Sequence, residues 1–320
     1  MFEEKISIKN DVINGRTAKV IAGLGEYSLS DTFECGQCFR YELVQSDGDY
    51  VEYITVVGEE IITVAQKEKG ELIFYGASDE LMEAVIRPYF TIDTDYEKIK
   101  NDIISRTDSE WLKKAAESAG GIAILKQDPW ETLFSFIISQ NNNIPRIRRI
   151  IREMSAAYGV NICLQKGITE CPLKKITCHP CEEKCSACGI CYTFPKAEDI
   201  VREPDKMLPS HPGFRYRYLL DAAKKVCDGR INLEKIAAAR SYTHTVSCLT
   251  EIVGVGEKVA SCTALFGFAN LEAFPIDVWM KRAINEYFGG KLDPTTLGRY
   301  AGVAQQYIFH YIRNLESDKN

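Results

Sequence analysis

The sequence predicts an α+β protein in which an N-terminal antiparallel, twisted β-sheet domain is followed by a mainly helical domain. Between residues 50 and 75, short segments rich in β-branched and aromatic residues alternate with polar residues and glycine, which is typical of an antiparallel meander. After about residue 97, apolar residues recur with the 3.6-residue period of helices. We therefore predict a sheet domain over residues 1–105 and a helical domain over residues 106–320.

The individual elements can be placed from the same patterns. The predicted strands cover residues 50–58, 61–64 and 71–75, and a helix is predicted over residues 79–89. Further helices are predicted over residues 130–138, 144–154, 216–227, 241–252 and 297–314.

Composition limits the classes of function. Hydrophobic residues make up 45% and charged residues 26% of the chain, as in soluble globular proteins. No run of about 18 apolar residues predicts a membrane helix, and the first residues show no secretory signal. We expect a cytoplasmic protein with no membrane partner. The net charge of −6 argues mildly against a nucleic-acid partner, although a local basic face matters more than the sum.

One predicted helix carries several arginines. The segment 144–154 contains Arg146, Arg148, Arg149 and Arg152 against the single acidic residue Glu153. It predicts a basic face that the net charge hides. For Arg148, Arg149 and Arg152, a solvated face of an amphipathic helix is the alternative.

Two glycines separate a pair of predicted helices in the sequence Gly254-Val255-Gly256. Glycine permits positive φ and close backbone approach. The following helix presents free N–H groups, which suit a phosphate. An ordinary helix–helix connection is the alternative interpretation.

Lys258 and Asp277 can lie close together although they are 19 positions apart in the sequence. A helix over residues 257–268 is about 18 Å long, and residues 269–275 can span about 23 Å. An amine can attack the anomeric carbon of a sugar, and a carboxylate near a helix N-terminus can stabilise the positive charge that develops there. Alternatively, Lys258 is a surface lysine and Asp277 a simple helix cap.

The hairpin, together with residues 273–280, resembles the helix-hairpin-helix motif of a DNA glycosylase superfamily, here at about residues 241–268. Three further segments, 31–40 with Gly-Gln-x-Phe-Arg, 139–146 and 212–218, resemble the 8-oxoguanine DNA glycosylase family. The resemblance covers nearly the whole chain. It implies a bifunctional DNA glycosylase/AP lyase of base excision repair. Lys258 would attack C1′, form a Schiff base and permit β-elimination, with Asp277 as its acidic partner.

The resemblance also implies a lesion pocket. The backbone carbonyl of Gly36 would accept a hydrogen bond from N7–H of 8-oxoguanine, a donor that guanine lacks. Cys262 and Phe309 would pack on the two faces of the base, and Gln305 would hydrogen-bond it. Ordinary core packing is the alternative for Cys262 and Phe309, and a bend at a strand edge is the alternative for Gly36.

A second set of residues would grip the DNA. Asn141 and Arg146 would read the orphaned cytosine, because an amide or guanidinium offers donors to its acceptors. Phe214 would wedge into the stack with Arg215 beside it, and Phe214 stands where the family often has Tyr. Trp279 stands where several members have His near a phosphate. The hairpin residues that would contact phosphate are Gly254, Val255 and Gly256.

Seven of the twelve cysteines lie between Cys163 and Cys191. Because the cytosol keeps thiols reduced, such crowding predicts a metal site in an insertion at about residues 163–191. A zinc ion and an iron–sulfur cluster both remain open. The glycosylase chemistry itself needs no cofactor. The candidate ligands, of which four are expected, are Cys171, Cys178, Cys181, Cys185, Cys188 and Cys191.

Two other functions remain open. The same fold can act on another oxidised base, or the chain can be a non-catalytic, metal-containing DNA-binding or redox module. If the protein is a glycosylase for 8-oxoguanine or for another oxidised base, we expect a monomer whose partner is damaged double-stranded DNA.

Overall fold

The structure, a computed structural model, describes residues 5–168 and 190–317. It confirms the predicted α+β class, with a sheet first and helices after it. No helix in these two ranges is long and apolar enough to cross a membrane.

Six antiparallel strands form one sheet in the order β1-β2-β6-β5-β4-β3. The three strands predicted from the sequence correspond to β4, β5 and β6, and β1 to β3 complete the sheet. The strands are β1 (Ser7–Ile13), β2 (Arg16–Ala22), β3 (Tyr41–Asp47), β4 (Tyr50–Val57), β5 (Glu60–Gln66) and β6 (Glu71–Tyr75).

Apart from α1 (Leu29–Glu34), which lies between β2 and β3 in the sequence, the described helices come after the last strand. These later helices are α2 (Asp79–Leu81), α3 (Arg87–Tyr89), α4 (Tyr96–Ser105), α5 (Glu110–Ser118), α6 (Pro129–Ser139), α7 (Ile144–Tyr158), α8 (Ile162–Gln165), α9 (Ala197–Arg202), α10 (Arg215–Cys227), α11 (Leu233–Ala239), α12 (Tyr242–Leu249), α13 (Glu257–Gly267), α14 (Val278–Tyr287) and α15 (Ala301–Ser317). A π-helical turn (Met82–Ile86) joins α2 to α3, and 3-10 turns cover Pro204–Ser210 and Pro294–Tyr300.

A continuous apolar core joins the sheet to the helices. Phe33 of α1 packs at 5.1 Å from Tyr53 of β4 and at 6.1 Å from Phe90, measured between ring centroids. The core continues across residue 105, where α4 ends. The domain boundary that the sequence predicts at this residue stays a prediction.

Two of the arginines in α7 hold this helix against the sheet. Arg148 donates a hydrogen bond to the carbonyl oxygen of Tyr41 and lies 3.0 Å from a carboxylate oxygen of Glu42 in β3. Arg152 also pairs with Glu42. One carboxylate balances only one of these two positive charges, so the three side chains together keep one positive charge and the basic face stays a prediction. Arg146 and Arg149 are exposed.

The turn between α12 and α13 is braced by α10. Asp221 accepts a hydrogen bond from the backbone N–H of Val253 at 2.7 Å and pairs with Lys225 at 2.9 Å. The ammonium group of Lys225 also donates to the carbonyl oxygen of Glu251 at 2.6 Å. These bonds fix the backbone of the turn from outside.

The two glycines of the turn have different requirements. Gly254 has a φ of +79°, and a Cβ there would lie 2.4 Å from the ring of Tyr218. Gly256 is the N-cap residue of α13 with a φ of −98°, and a Cβ there would meet no atom within 4 Å. Of these two positions, only 254 therefore requires glycine, both for its positive φ and for the closeness of the Tyr218 ring.

We predict that Gly254→Ala lowers the free energy of unfolding by about 2–4 kcal/mol, because it adds backbone strain and a clash with Tyr218. Gly256→Ala is the matched control and costs less than about 1 kcal/mol. Urea unfolding of both variants measures the difference. Equal losses would contradict this account of the turn.

Candidate active site

A cavity of about 410 Å³ opens where α1, α6, α7, α13, α14 and α15 meet. It brings together the two predicted catalytic residues and the four predicted base-binding residues. Its lining includes Gly36, Lys258, Cys262, Asp277, Gln305 and Phe309, with Cys35, Phe39, Phe136, Ser139, Asn142, Asn143, Ile144, Pro145, Ile147, Phe266, Pro275, Trp279, Gln306 and Arg313.

Lys258 lies in the first turn of α13 and is half-buried. Its Nζ lies 3.4 Å from Oγ of Ser139 and 5.2 Å from the centroid of the Phe136 ring. Within the described part of the chain, no carboxylate oxygen lies within 4.0 Å of this nitrogen. The amine therefore reaches the cavity without an ion-pair partner at contact distance.

Asp277 is the N-cap residue of α14, and its Oδ1 accepts a hydrogen bond from the backbone N–H of Met280 at 2.8 Å. The N-terminal end of a helix stabilises negative charge at this position. Asp277 and Lys258 line the same cavity. The segment between α13 and α14 therefore folds back toward the start of α13, as its length permits.

Cys262 lies one helical turn after Lys258 and is only 4% exposed. Burial raises the pKa of its thiol to about 11, although the positive charge of Lys258 acts in the opposite direction. At neutral pH, Cys262 is therefore a neutral thiol, which offers the cavity a soft and weakly polar surface.

Gly36 forms the opposite wall. Its φ is +83°, and a Cβ on it would lie 3.7 Å from Cε1 of Phe309 and 3.8 Å from Cδ1 of Ile144. The positive φ makes any other residue strained at this position. The backbone at Gly36 therefore lies beside Phe309 in the wall of the cavity.

Gln37 fixes the backbone next to Gly36. It is fully buried, and its Nε2 donates to the carbonyl oxygens of Thr32 and Ala123, both at 2.8 Å. Its Oε1 accepts from the N–H of Leu125 at 2.8 Å. Because all three bonds are made by one buried carboxamide, a substitution would leave several polar groups unpaired.

The same network reaches the helix that carries Lys258. The side chain of Gln127 donates to the carbonyl oxygen of Gln37 at 2.8 Å. The backbone N–H of Gln127 donates to the carbonyl oxygen of Phe266, near the end of α13, at 3.0 Å. The wall at Gly36 and the helix of Lys258 are thus joined through only one intervening residue.

The remaining residues of the Gly-Gln-x-Phe-Arg segment are anchors too. Phe39 packs edge-to-face on Phe136 with the ring centroids 5.6 Å apart. Arg40 pairs with Glu131 of α6 at 2.9 Å and donates to the carbonyl oxygens of Ile190 and Tyr192. The segment is therefore a structural clamp around Gly36.

Five of the seven predicted DNA-contacting residues are exposed, and the other two, Arg215 and Val255, are buried. Asn141 is exposed and has a φ of +47°, and Phe214 is 46% exposed. Arg215 is only 3% exposed and donates to the carbonyl oxygens of Gln140 and Asn141. Burial, and then repulsion from Arg146, lower the pKa of Arg215. In this structure Arg215 thus holds the backbone at Asn141.

Sequence reasoning missed several residues of the site. Gln37, Gln127 and the Asp221–Lys225 brace act through contacts between distant parts of the chain, which no local periodicity reveals. Gln306 is next to a predicted residue and faces the same cavity. Two adjacent glutamines in an otherwise apolar helix segment were a signal that could have found it.

The predicted metal ligands lie mostly outside the described residues. Of the six candidate cysteines, only Cys191 falls within them, and it is 2% exposed. Asn161 and Tyr192, which flank the insertion in the sequence, form an antiparallel bridge. Within residues 5–168 and 190–317, no group of three or more His, Cys, Asp or Glu side chains is arranged to hold a metal ion.

Comparison with known proteins agrees with this geometry. Residues 19–133 match the family model described as the N-terminal domain of 8-oxoguanine DNA glycosylase. The N-glycosylase/DNA lyase of Saccharomyces cerevisiae is 24% identical over 82% of this chain and 69% of its own length.

Two solved structures are similar over nearly their whole lengths. The 8-oxoguanine glycosylase/lyase of Clostridium acetobutylicum, in complex with DNA containing cytosine opposite 8-oxoguanine, has 29% identity and a TM-score of 0.78, covering 97% of this chain and 98% of that chain. MBOgg1, in complex with a low-affinity DNA ligand, has 33% identity and a TM-score of 0.77, covering 96% of this chain and 99% of that chain. The chain therefore belongs to the 8-oxoguanine DNA glycosylase family.

Proposed function

We propose that this protein is a bifunctional DNA glycosylase/AP lyase that excises 8-oxoguanine from double-stranded DNA. The observation that carries the proposal is that one cavity holds Lys258 and Asp277 together with Gly36, Cys262 and Phe309. A cavity of about 410 Å³ also falls within the range of about 300–1,000 Å³ that is usual for small-molecule sites.

In the proposed reaction, the amine of Lys258 gives up a proton and its lone pair forms a bond to C1′ of the damaged nucleotide. The bond from C1′ to the base breaks, and its electron pair stays on the base, which takes up a proton. Opening of the sugar gives a Schiff base. Loss of a proton from C2′ then expels the 3′ phosphate.

Asp277 supports this reaction electrostatically. Positive charge develops on the sugar as the bond to the base breaks, and a carboxylate held in a fixed position stabilises it without reorganisation. The hydrogen bond from Met280 N–H to Oδ1 of Asp277 holds the carboxylate in place.

The lesion would lie between Cys262 and Phe309. A neutral, buried thiol suits contact with the flat face of a base, and Phe309 offers a stacking partner on the other side. The carbonyl of Gly36 would accept N7–H of 8-oxoguanine, whereas N7 of guanine is an acceptor and would repel it.

Phe214 and the residues around it would hold the DNA open. Its exposed ring packs edge-to-face on Tyr218 with the centroids 5.8 Å apart, and the guanidinium carbon of Arg215 lies 4.5 Å from its centroid. An exposed aromatic ring that is held from two sides suits a wedge between bases. We further propose that Gly254, Val255 and Gly256 contact a phosphate, and that the protein acts as a monomer in the cytoplasm.

Borohydride trapping on a duplex with 8-oxoguanine opposite cytosine tests the nucleophile. We predict that the wild type forms a covalent adduct, and that Lys258→Gln reduces the rate of strand cleavage on the order of a thousandfold or more while it still binds the duplex. Lys235→Gln, an exposed substitution in α11, is the control and should trap normally. An adduct that persists in Lys258→Gln would rule out Lys258 as the nucleophile.

The choice of opposite base tests Arg146. We predict that the wild type excises 8-oxoguanine faster opposite cytosine than opposite adenine, and that Arg146→Ala reduces this preference about tenfold. Arg149→Ala removes another exposed arginine of α7, one turn further along, and should leave the preference unchanged. If Arg146→Ala keeps the preference intact, Arg146 does not read the opposite base.

We also propose that the cysteine-rich insertion binds a metal, because six closely spaced thiols in a reducing compartment favour coordination. Elemental analysis and the absorption spectrum of the purified protein distinguish a colourless zinc site from a coloured iron–sulfur cluster. We predict that changing the six candidate cysteines to serine abolishes the bound metal, whereas Cys227→Ser, outside the insertion, retains it. A wild-type protein without metal would end both hypotheses.

A panel of duplexes that carry oxidised pyrimidines distinguishes the alternative lesion. If these bases are excised faster than 8-oxoguanine, the substrate of the protein is an oxidised pyrimidine.

A further inference from the structure

A second glutamine lies beside the one that the resemblance places on the base. Gln305 and Gln306 are both 4% exposed, and both line the cavity. They are neighbours on α15, one turn before Phe309. The proposed function assigns a role to Gln305 and none to Gln306.

Gln306 makes one hydrogen bond through its side chain and leaves one group unpaired. Its Nε2 donates to Oε1 of Gln305 at 2.6 Å. Its own Oε1 is buried and has no hydrogen-bond partner among the described residues. An unpaired buried acceptor costs free energy that an apolar side chain of similar size would not. Packing alone therefore does not account for a carboxamide at this position.

The bond to Gln305 fixes which way its carboxamide faces. Turning a carboxamide by 180° exchanges its acceptor oxygen and its donor NH2 group. If Gln305 turned alone, its NH2 would face the NH2 of Gln306, and the bond would be lost. If both turned, the bond would form again, but the NH2 of Gln306 would take the buried place of its unpaired oxygen and leave two donors without an acceptor there, which costs more than one unpaired carbonyl oxygen. Gln305 thus presents one fixed order of donor and acceptor to the cavity.

That order matters for recognising the base. Guanine-type bases present an acceptor at O6 next to a donor at N1, whereas adenine-type bases present a donor at N6 next to an acceptor at N1. A carboxamide that binds both positions of one edge cannot bind the other edge without turning. Because 8-oxoguanine and 8-oxoadenine share the N7–H donor, the carbonyl of Gly36 cannot distinguish them.

We propose that Gln306 is a positioning residue that locks the carboxamide of Gln305 in the orientation that fits a guanine-type edge, so that oxidised guanine is preferred over oxidised adenine. This inference rests on the proposed function, because it assumes that the lesion enters this cavity. It adds a residue that sets which oxidised purine is accepted.

The test is single-turnover excision of 8-oxoguanine and of 8-oxoadenine, each opposite cytosine, by the wild type and by Gln306→Met. Methionine keeps the length of the side chain; it removes the unpaired oxygen and also the bond to Gln305, and since these two effects oppose each other, the variant should fold with a stability close to that of the wild type. We expect the ratio of the two excision rates to fall about tenfold, the equivalent of one lost hydrogen bond. Most of the change should come from faster relative excision of 8-oxoadenine.

Ile308→Val is the structural control, since Ile308 is fully buried on the same helix and does not line the cavity. It should change both rates by the same factor. If Gln306→Met also leaves the ratio unchanged, the inference is overturned while the proposed function stands. If the wild type excises no 8-oxoguanine, both are overturned.

Discussion

The buried carboxamide of Gln37 holds the two sides of the cavity in register. Two of its hydrogen bonds fasten the segment around Gly36 to residues 123–125, and another is donated to the carbonyl oxygen of Thr32 in α1. Through Gln127, the same network reaches α13 at Phe266. Gly36 comes from the sheet region and Lys258 from the helical region, and this joint positions them across the cavity together with the contacts of Phe39 and Arg40 to α6. Hydrogen bonds of a buried carboxamide can hold two segments together in this way, because they are directional and costly to break.

Much of the fold could be predicted from the sequence, and the differences have physical causes. Strands β4, β5 and β6 have dense β-branched and aromatic residues, and they were placed correctly. Strand β1 is polar and almost entirely exposed, so it shows no apolar alternation, and it is held by its pairing with β2. The helix predicted over residues 241–252 ends at Leu249, because the next residues form the turn that α10 braces.

The site was predicted largely through resemblance, and the local sequence alone would not have identified it. In the local sequence, Lys258 is only a lysine after a hairpin and Asp277 only a helix cap. The fold brings both into one cavity. The arginines of α7 show the opposite outcome. Arg148 and Arg152 lie in a segment that predicts a basic face, yet Glu42, more than 100 residues earlier, pairs with both and offsets one of their two charges. Contacts between distant residues decide such cases, and helical periodicity carries no information about them.

The cavity also shows how recognition and chemistry are separated on one scaffold. Lys258 and Asp277 both lie at helix N-termini, so the backbone from which each side chain extends has a fixed position. The proposed surfaces for the base come from Gly36, Cys262 and α15, which lie in different parts of the chain and line the same cavity. In the proposed function, rigid elements around the cavity would let a single carbonyl group read a small chemical difference at N7.

The central claim is that this cavity receives the oxidised base. A crystal structure of Lys258→Gln with a duplex that contains 8-oxoguanine opposite cytosine tests it most directly. We predict that the base lies outside the helix stack, between Cys262 and Phe309, with N7–H within hydrogen-bond distance of the carbonyl oxygen of Gly36. A base that remains stacked in the duplex or binds elsewhere on the protein, with this cavity empty, would contradict the account.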